Sequence, residues 1–359
     1  MQNVIPFNRE SFGQLLSKKF LLVIVISIPS AIIADFFKVP LAWMIGPMIA
    51  TSLIALKGFQ VIMPRLALSS ILIILGLHIG NYIDQNLLNQ MVNWIWTTII
   101  MFFYIVISIL IVSKYLQKFS DYKEKTTIFT SAPNTLRKLM ILAKYETSYL
   151  SQVATAHLIR LIIIITLFPF IIVSLYPAEA LELEKFDYMS QNHWELIILI
   201  IVSLVFIFFF DKFKVPAALL SGTLVASGVL QISDIASYKL PDASINFCLL
   251  ILGASVGCRF ANKTFKEVAN NSFHGLVATI LLVLLGLIAA YVATFFVDNN
   301  ILSLILSFCP GGIYEVAVIA IAFDLEPDFV AFHHIIRLLF ILFVVPVILR
   351  IIEKTRLKN

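Results

Sequence analysis

The segment 307–315, SFCPGGIYE, interrupts a long apolar region near the C-terminus. It follows the apolar run ILSLIL and leads into VAVIAIAF. Pro310 has no N–H to donate, and its ring opposes the continuation of a helix. The neighbouring glycines, Gly311 and Gly312, permit backbone conformations that other residues avoid. The segment therefore predicts a helix that is broken inside a hydrophobic region.

The composition of the whole chain indicates what surrounds this break. Hydrophobic residues make up 60% of the 359 residues and charged residues 13%, whereas soluble domains hold about 25% charged residues. Apolar stretches such as 91–113, 151–175 and 273–297 exceed the roughly 20 residues that cross a bilayer core. The chain is therefore predicted to be an all-α polytopic membrane protein, with the lipid bilayer as a partner.

Other features of the composition exclude several classes of function. The net charge is +5, but the basic residues lie mostly in short loops, where they set membrane orientation, so no nucleic-acid partner is expected. The three cysteines lack metal-ligand spacing, and neither a metal site nor a cofactor is expected. The sequence contains no nucleophilic triad, P-loop or dinucleotide fingerprint, so the chain is predicted not to be an enzyme.

The two halves of the chain repeat each other. The sequence DFFKVP at 35–40 matches DKFKVP at 211–216 at an offset of 176 residues, and after a one-residue insertion the offset becomes 177. Each half contains six apolar segments, which indicates a duplicated membrane unit. Residues of uncommon type keep the second offset: Pro64 with Pro241, Gly76 with Gly253, Gly80 with Gly257, Pro133 with Pro310, His157 with His334, Arg160 with Arg337, and Pro169 with Pro346.

The predicted organisation has five parts along the chain. They are a cytoplasmic N-terminal segment (1–19), a first membrane repeat (20–176), an acidic external linker (177–193), a second membrane repeat (194–352) and a cytoplasmic tail (353–359). In each repeat we expect five spanning helices and one broken segment that penetrates only part way, at 126–143 and at 301–322.

An odd number of crossings in the first repeat turns the second one upside down, which predicts inverted repeats. Such repeats are typical of secondary transporters, whose binding sites form from interrupted helices at the repeat interface. The basic clusters at 114–125 and 259–266 then both lie on the cytoplasmic side with the two termini. The alternative, twelve full spans in parallel repeats, would move the second cluster to the outside.

The predicted site consists of the two breaks and the polar residues near them. A helix that starts near Gly312 would direct free N–H groups and partial positive charge into the space beside the break. The alternative is a kink that only helps the helices to pack. The candidate solute- or ion-binding residues are Pro310, Gly311, Gly312 and Glu315 at the second break, Pro133, Asn134, Thr135, Arg137 and Lys138 at the first, and the pairs His157/Arg160 and His334/Arg337.

Charged residues inside the apolar segments indicate what this site could bind. Glu315 has Lys138 as its counterpart in the first repeat and could face either Lys138 or Arg137. An intramembrane carboxylate with a nameable partner is a candidate for function. Such a pair could exchange a proton, open when an anion enters, or remain a static ion pair. Arg160 and Arg337 could fork onto a carboxylate or phosphate, extend their charged ends to the membrane surface, or cap carbonyls of the broken neighbour. Four positive groups against one negative group favour an anionic ligand.

The motifs also resemble a known family. Two copies of VPxAxxxG begin at Val39 and Val215, a GxxxG pattern follows in each half, and PGGxxExxxxA at 310–320 precedes HxxR at 334–337. These motifs resemble the duplicated membrane AbrB family over nearly all of 20–352. The first copy departs from the pattern with Asn134 and Thr135 in place of the glycine pair and with Lys138 in place of the acid.

The resemblance has implications for location and function. It implies a bacterial inner-membrane protein, and the family's labels, putative regulator and "ammonia monooxygenase", imply gene regulation or ammonia oxidation. The repeat organisation looks like the cation–proton antiporter and bile-acid-type transporter fold. We expect a secondary transporter or exporter of a small, anionic organic solute, coupled to H⁺ or Na⁺ and able to form a homodimer. The alternative is a membrane-embedded regulator of gene expression that acts through a partner.

Overall fold

The computed structural model describes residues 9–133, 150–175, 193–236, 238–261 and 263–356. Within these ranges the chain forms helices and no strands, which confirms the predicted all-α class. In chain order the helices are α1 (Arg9–Leu15), α2 (Lys18–Phe36), α3 (Ala42–Leu56), α4 (Arg65–Gly80), α5 (Leu87–Phe119), α6 (Glu124–Ser131), α7 (Leu150–Leu175), α8 (His193–Lys212), α9 (Ala218–Ile232), α10 (Asp242–Cys258), α11 (Phe265–Ala293), α12 (Ile301–Phe308), α13 (Ile313–Ala322) and α14 (Pro327–Arg356).

Six of the described helices are long and apolar enough to cross a membrane. Their spans are Lys18–Phe36, Asn89–Phe119, Leu150–Leu175, Trp194–Lys212, Ser272–Ala293 and Pro327–Ile352. Five shorter apolar helices, α3, α4, α9, α13 and most of α10, accompany them. These lengths and compositions are those of a polytopic membrane protein, while the number of full crossings and the orientation of the repeats stay predictions.

The chain forms two compact units, and each unit draws residues from both sequence halves. The first unit contains Met1–Leu88, Ile165–Phe265 and Ala317–Asp328. The second contains Asn89–Ile164, Lys266–Val316 and Phe329–Asn359. The two helix breaks and both His/Arg pairs therefore belong to the second unit.

Glycines bring helices of the first unit into close contact. A Cβ on Gly76 would come within 2.7 Å of the Leu220 carbonyl oxygen. A larger residue at this position would therefore prevent α4 and α9 from packing this closely. A Cβ on Gly253 would come within 2.9 Å of the Met44 carbonyl carbon, which is the equivalent contact between α10 and α3. Small residues at such spacing are the usual device for close packing of membrane helices. The contact between α4 and α9 and the contact between α10 and α3 are therefore built in the same way.

The turns that precede α3 and α9 also match. Lys38 and Lys214 have φ angles of 54° and 57°, and Leu41 and Ala217 have φ angles of 49° and 52°. The left-handed region costs a residue with a Cβ about 1–2 kcal/mol, so its use at equivalent positions indicates that the surrounding structure imposes it. The duplication therefore extends to unusual backbone conformations.

The second unit has an apolar core. Val112 and Leu116 of α5 pack with Tyr122 and with two residues of α11, Ala278 and Leu282. Further along α11, a Cβ on Gly286 would lie 2.9 Å from the Phe308 carbonyl oxygen, so α11 runs close beside the end of α12. This contact places the second helix break inside the unit.

Candidate functional site

The predicted helix break around Pro310 is present. The Asn300 side chain caps the start of α12, because its Oδ1 accepts a hydrogen bond from Leu302 N at 2.9 Å. The helix ends at Phe308, and α13 begins at Ile313. Between them, Gly311 N donates to Cys309 O at 2.8 Å. Residues 309–312 thus form a short non-helical link between two buried half-helices.

The first break has the same geometry up to the end of its described part. The helix α6 ends at Ser131, and Ala132 adopts an extended conformation with φ −61° and ψ 126°. Cys309, its counterpart, has φ −58° and ψ 130°. Pro133 is buried. The predicted site residues Asn134, Thr135, Arg137 and Lys138 lie outside the described residues.

Both candidate arginines bind main-chain oxygens at the breaks. Arg160 donates from Nη1 to Ala132 O and from Nη2 to Thr130 O, each at 2.6 Å. Arg337 donates from Nη1 to Cys309 O and from Nη2 to Gly311 O, the latter at 2.7 Å. Carbonyls at a helix C-terminus have no partner within the helix. The guanidinium groups therefore cap the carbonyl ends of the half-helices, which is one of the roles that the sequence left open.

Each arginine works together with the histidine three residues before it. His157 Nε2 lies 3.1 Å from Phe129 O, and His334 Nε2 lies 3.0 Å from Leu306 O. The Nδ1 atoms lie 3.3 and 2.8 Å from Arg160 Nη1 and Arg337 Nη2. A guanidinium group only donates and a carbonyl only accepts, so Nδ1 must accept and Nε2 must carry the hydrogen. Both imidazoles are therefore neutral parts of the caps.

The two guanidinium groups are buried positive charges with spare donor capacity. Arg160 and Arg337 are both 0% exposed. Each leaves its Nε–H without a hydrogen-bond partner, and across the described ranges neither contacts a carboxylate. They lie close enough to repel each other, and the Tyr104 hydroxyl lies within electrostatic range of both. A buried cation is costly unless its charge is balanced, so this part of the unit favours a negative group.

Glu315 is also buried, with 2% of its surface exposed. It lies in the first turn of α13, where a carboxylate interacts favourably with the positive end of the helix dipole. The predicted relationship between Glu315 and Lys138 stays a prediction, because Lys138 lies outside the described residues. No group of three His, Cys, Asp or Glu side chains in the described part of the chain is arranged to hold a metal ion.

The sequence interpretation missed Tyr104 and His333. Tyr104 lies on α5, outside both breaks, and no motif marks it. His333 is 0% exposed, and its Nε2 lies 2.7 Å from Thr97 Oγ1 on α5. The available signal was the pair His333–His334 in an apolar helix, since the first half has Ala156 at the position equivalent to His333.

The long apolar helices are features typical of a helical membrane protein. The chain matches the family model described as "Transition state regulatory protein AbrB" over residues 9–353. It therefore belongs to the AbrB family, which confirms the resemblance seen in its motifs.

Two relatives extend along most of the chain. One, "Uncharacterized protein YhjN" of Bacillus subtilis (strain 168), is 20% identical over 361 residues, which cover 93% of each chain. Another, "Putative regulator AbrB" of Escherichia coli (strain K12), is 24% identical over 319 residues, which cover 88% of this chain and 90% of the relative. No solved structure matches the chain significantly.

Proposed function

We propose that the protein is a secondary transporter or exporter of a small organic anion, coupled to H⁺ or Na⁺, in the bacterial inner membrane with both termini cytoplasmic. The proposal includes inverted repeats whose two breaks form one binding site. The single observation that carries it is the pair of buried guanidinium groups, each of which caps a broken helix and has an Nε–H without a hydrogen-bond partner among the described residues.

The arrangement at the breaks supports a transporter rather than a passive packing device. Irregular backbone at membrane depth is tolerated where it is buried in protein or lines a water-filled cavity. Both halves use the same cap, in which a histidine contacts a carbonyl 28 residues before it. Because the arginines follow the same spacing to Ala132 and Cys309, the duplication preserves a pair of polar groups as well as the helices.

The class of solute follows from the charges of the site. A guanidinium group is planar and always charged, and it matches carboxylate and phosphate oxygens. An anion that accepts from the Nε–H of Arg160 or Arg337 would supply the missing hydrogen bond and reduce the repulsion between the two cations. The N-terminus of α13, which begins at Ile313, would add partial positive charge. A small carboxylate or oxyanion therefore fits the site best.

Transport by the purified protein in proteoliposomes tests this proposal. Radiolabelled acetate, lactate, succinate and glycerol 3-phosphate would be offered under imposed pH and sodium gradients. We expect one of these anions to accumulate against its gradient, and Arg337→Lys, which keeps the charge but lacks the Nε–H, to lose at least tenfold in uptake. The absence of gradient-driven uptake for all four anions by folded wild-type protein would contradict the proposal.

A second candidate is a membrane-embedded regulator of gene expression that acts through a partner. It is supported by the names of the family model and of the relative from Escherichia coli. Cross-linking in native membranes would test it. Regulation would be favoured over transport by two results together. One is a stable protein partner, and the other is that expression of the wild type changes cellular transcripts and expression of Arg337→Lys changes them in the same way.

A further inference from the structure

We propose that the coupling ion is H⁺ and that it binds at Nε2 of His333, an assignment that rests on the proposed transport function. His333 lies in α14, next to the capping residue His334, and its ring is enclosed by aromatic side chains. The ring centroids of Phe329 and Phe332 lie 4.2 and 5.2 Å away, those of Trp94 and Phe308 6.2 and 6.5 Å away.

The hydrogen bonds of His333 define one fixed end and one adaptable end. Its Nδ1 lies 2.9 Å from Phe329 O, and a carbonyl only accepts, so Nδ1 carries a hydrogen. Its Nε2 lies 2.7 Å from Thr97 Oγ1. The same hydroxyl oxygen lies 2.8 Å from Trp94 O. A hydroxyl has one hydrogen to donate and can also accept.

Both protonation states of this ring can therefore be fully hydrogen-bonded. When His333 is neutral, the Thr97 hydroxyl donates to Nε2. When Nε2 takes a proton, the new N–H donates to Thr97 Oγ1, and the hydroxyl hydrogen turns to Trp94 O. The proton forms one N–H bond and leaves by breaking it, with no other covalent change. Binding and release of the proton at Nε2 require only that the Thr97 hydroxyl rotates.

The capping histidines lack this property. In His157 and His334 the Nδ1 atom accepts from an arginine and the Nε2–H donates to a carbonyl. A second proton on either ring would break the bond to the arginine and place two cations side by side. Of these three buried rings in the second unit, His333 is the one that can gain a proton without losing a bond.

The aromatic surroundings of His333 offset part of the cost of a cationic state. Burying a charge is costly, and the rings of Phe329 and Phe332, with centroids 4.2 and 5.2 Å away, attract a cation that lies over their faces. The residues that face the ring from α5 and α12 are Trp94, Thr97 and Phe308, and none of them titrates. The titratable neighbour is His334 on the same helix, which is electrostatically coupled to both His333 and Arg337.

This coupling links the proton to the solute. Arg337 lies one helical turn after His333, a spacing at which two like charges on a helix repel each other. An anion at Arg337 would reduce that repulsion and favour the proton, and by linkage the proton would favour the anion equally. The expected mode is therefore cotransport of an anion with H⁺.

Nuclear magnetic resonance of the full-length protein in lipid nanodiscs tests the proton site without a transport assay. Histidine rings labelled with ¹⁵N would be followed between about pH 4 and pH 8, a range that includes the ordinary titration of histidine. We expect one ring, identified by its loss in His333→Gln, to change from the Nδ1–H form to the doubly protonated form. The rings of His157 and His334 should keep the Nε2–H form throughout.

A matched pair of variants tests the role of the hydroxyl. Thr97→Val should abolish the doubly protonated form of His333 in this range, and Thr97→Ser should retain it. A His333 ring that stays neutral in the wild type, or that titrates equally in Thr97→Val, would overturn the assignment.

Uptake measurements separate this inference from the proposed function. The anion that the wild type accumulates would be used for this test. His333→Gln should still exchange internal for external anion, but its uptake driven by a pH gradient should be at least tenfold slower than that of the wild type. Uptake by His333→Gln that keeps its full dependence on the pH gradient would overturn the proton site and leave transport intact. Failure of the wild type to move any anion would instead overturn the proposed function and, with it, the coupling role of His333.

Discussion

Arg337 donates a hydrogen bond to the main-chain oxygen of Cys309, the last residue before the helix break at Pro310. Its counterpart Arg160 donates to Ala132 O, the last residue before Pro133. Both bonds join residues 28 positions apart. Each arginine also contacts a second carbonyl of the same break. These two side chains therefore supply the hydrogen bonds that the main-chain carbonyls at the ends of the half-helices accept.

The first prediction concerns the stability of the caps. Arg337→Leu should lower the free energy of unfolding by about 1–3 kcal/mol, because it leaves buried carbonyls without donors. Arg350→Leu is the matched control, since Arg350 is an exposed arginine on the same helix and should change stability little. Chemical unfolding in detergent, followed by circular dichroism, measures both variants. Equal stability of the two variants would contradict the capping role.

The second prediction concerns the close helix contacts in the first unit. Gly76→Ala and Gly253→Ala should each lower stability by about 1–3 kcal/mol, because the added Cβ meets main-chain atoms that must move. Gly13→Ala on α1 is the control, since a Cβ there would have no atom within 4 Å. Thermal unfolding in nanodiscs compares the three proteins. Unchanged midpoints for the first two variants would show that these helices do not need the close approach.

The third prediction concerns the buried carboxylate at the start of α13. Glu315→Gln should abolish gradient-driven anion uptake while the protein folds normally, because the amide keeps the size of the side chain but removes the negative charge from the first turn of α13 beside the second break. Asp324→Asn is the control. Asp324 is exposed and has a φ of 50°, a conformation that asparagine tolerates. Wild-type uptake and pH dependence in Glu315→Gln would exclude a role for this carboxylate in coupling.

The fourth prediction concerns the link between the half-helices. A Cβ on Gly311 would come within 2.6 Å of Val316 Cγ2, so Gly311→Ala should displace the carbonyl that Arg337 binds and slow uptake. The double variant Gly311→Ala/Val316→Ala removes the obstructing methyl group and should recover part of the uptake. Initial uptake rates in proteoliposomes measure this. A double variant no better than the single one would indicate that the glycine serves another purpose.

Local chemistry made part of this site predictable from the sequence. A proline followed by two glycines at 310–312 disfavours a continuous helix through local backbone chemistry alone, so the break could be predicted without knowledge of neighbouring helices. The repeat at an offset of 177 likewise identified the pairs His157/Arg160 and His334/Arg337. The direction in which the repeats cross the membrane depends on the loop charges and stays a prediction.

The roles of the arginines could not be settled in the same way. A free solute and a main-chain carbonyl both accept hydrogen bonds from a guanidinium group, and the choice depends on which carbonyls the fold brings near. His333 was missed for a related reason, because its partner Thr97 lies 236 residues earlier in the chain. No local pattern in an apolar helix distinguishes a proton-binding histidine from a packed one.

The most direct measurement of the central claim is an experimental structure of the full-length protein in nanodiscs, with the anion that it transports. We predict helices interrupted at Pro133 and Pro310, and density for the anion within hydrogen-bonding distance of Nε of Arg160 or Arg337. A continuous helix through Pro310, or an anion bound well away from both guanidinium groups, would contradict it.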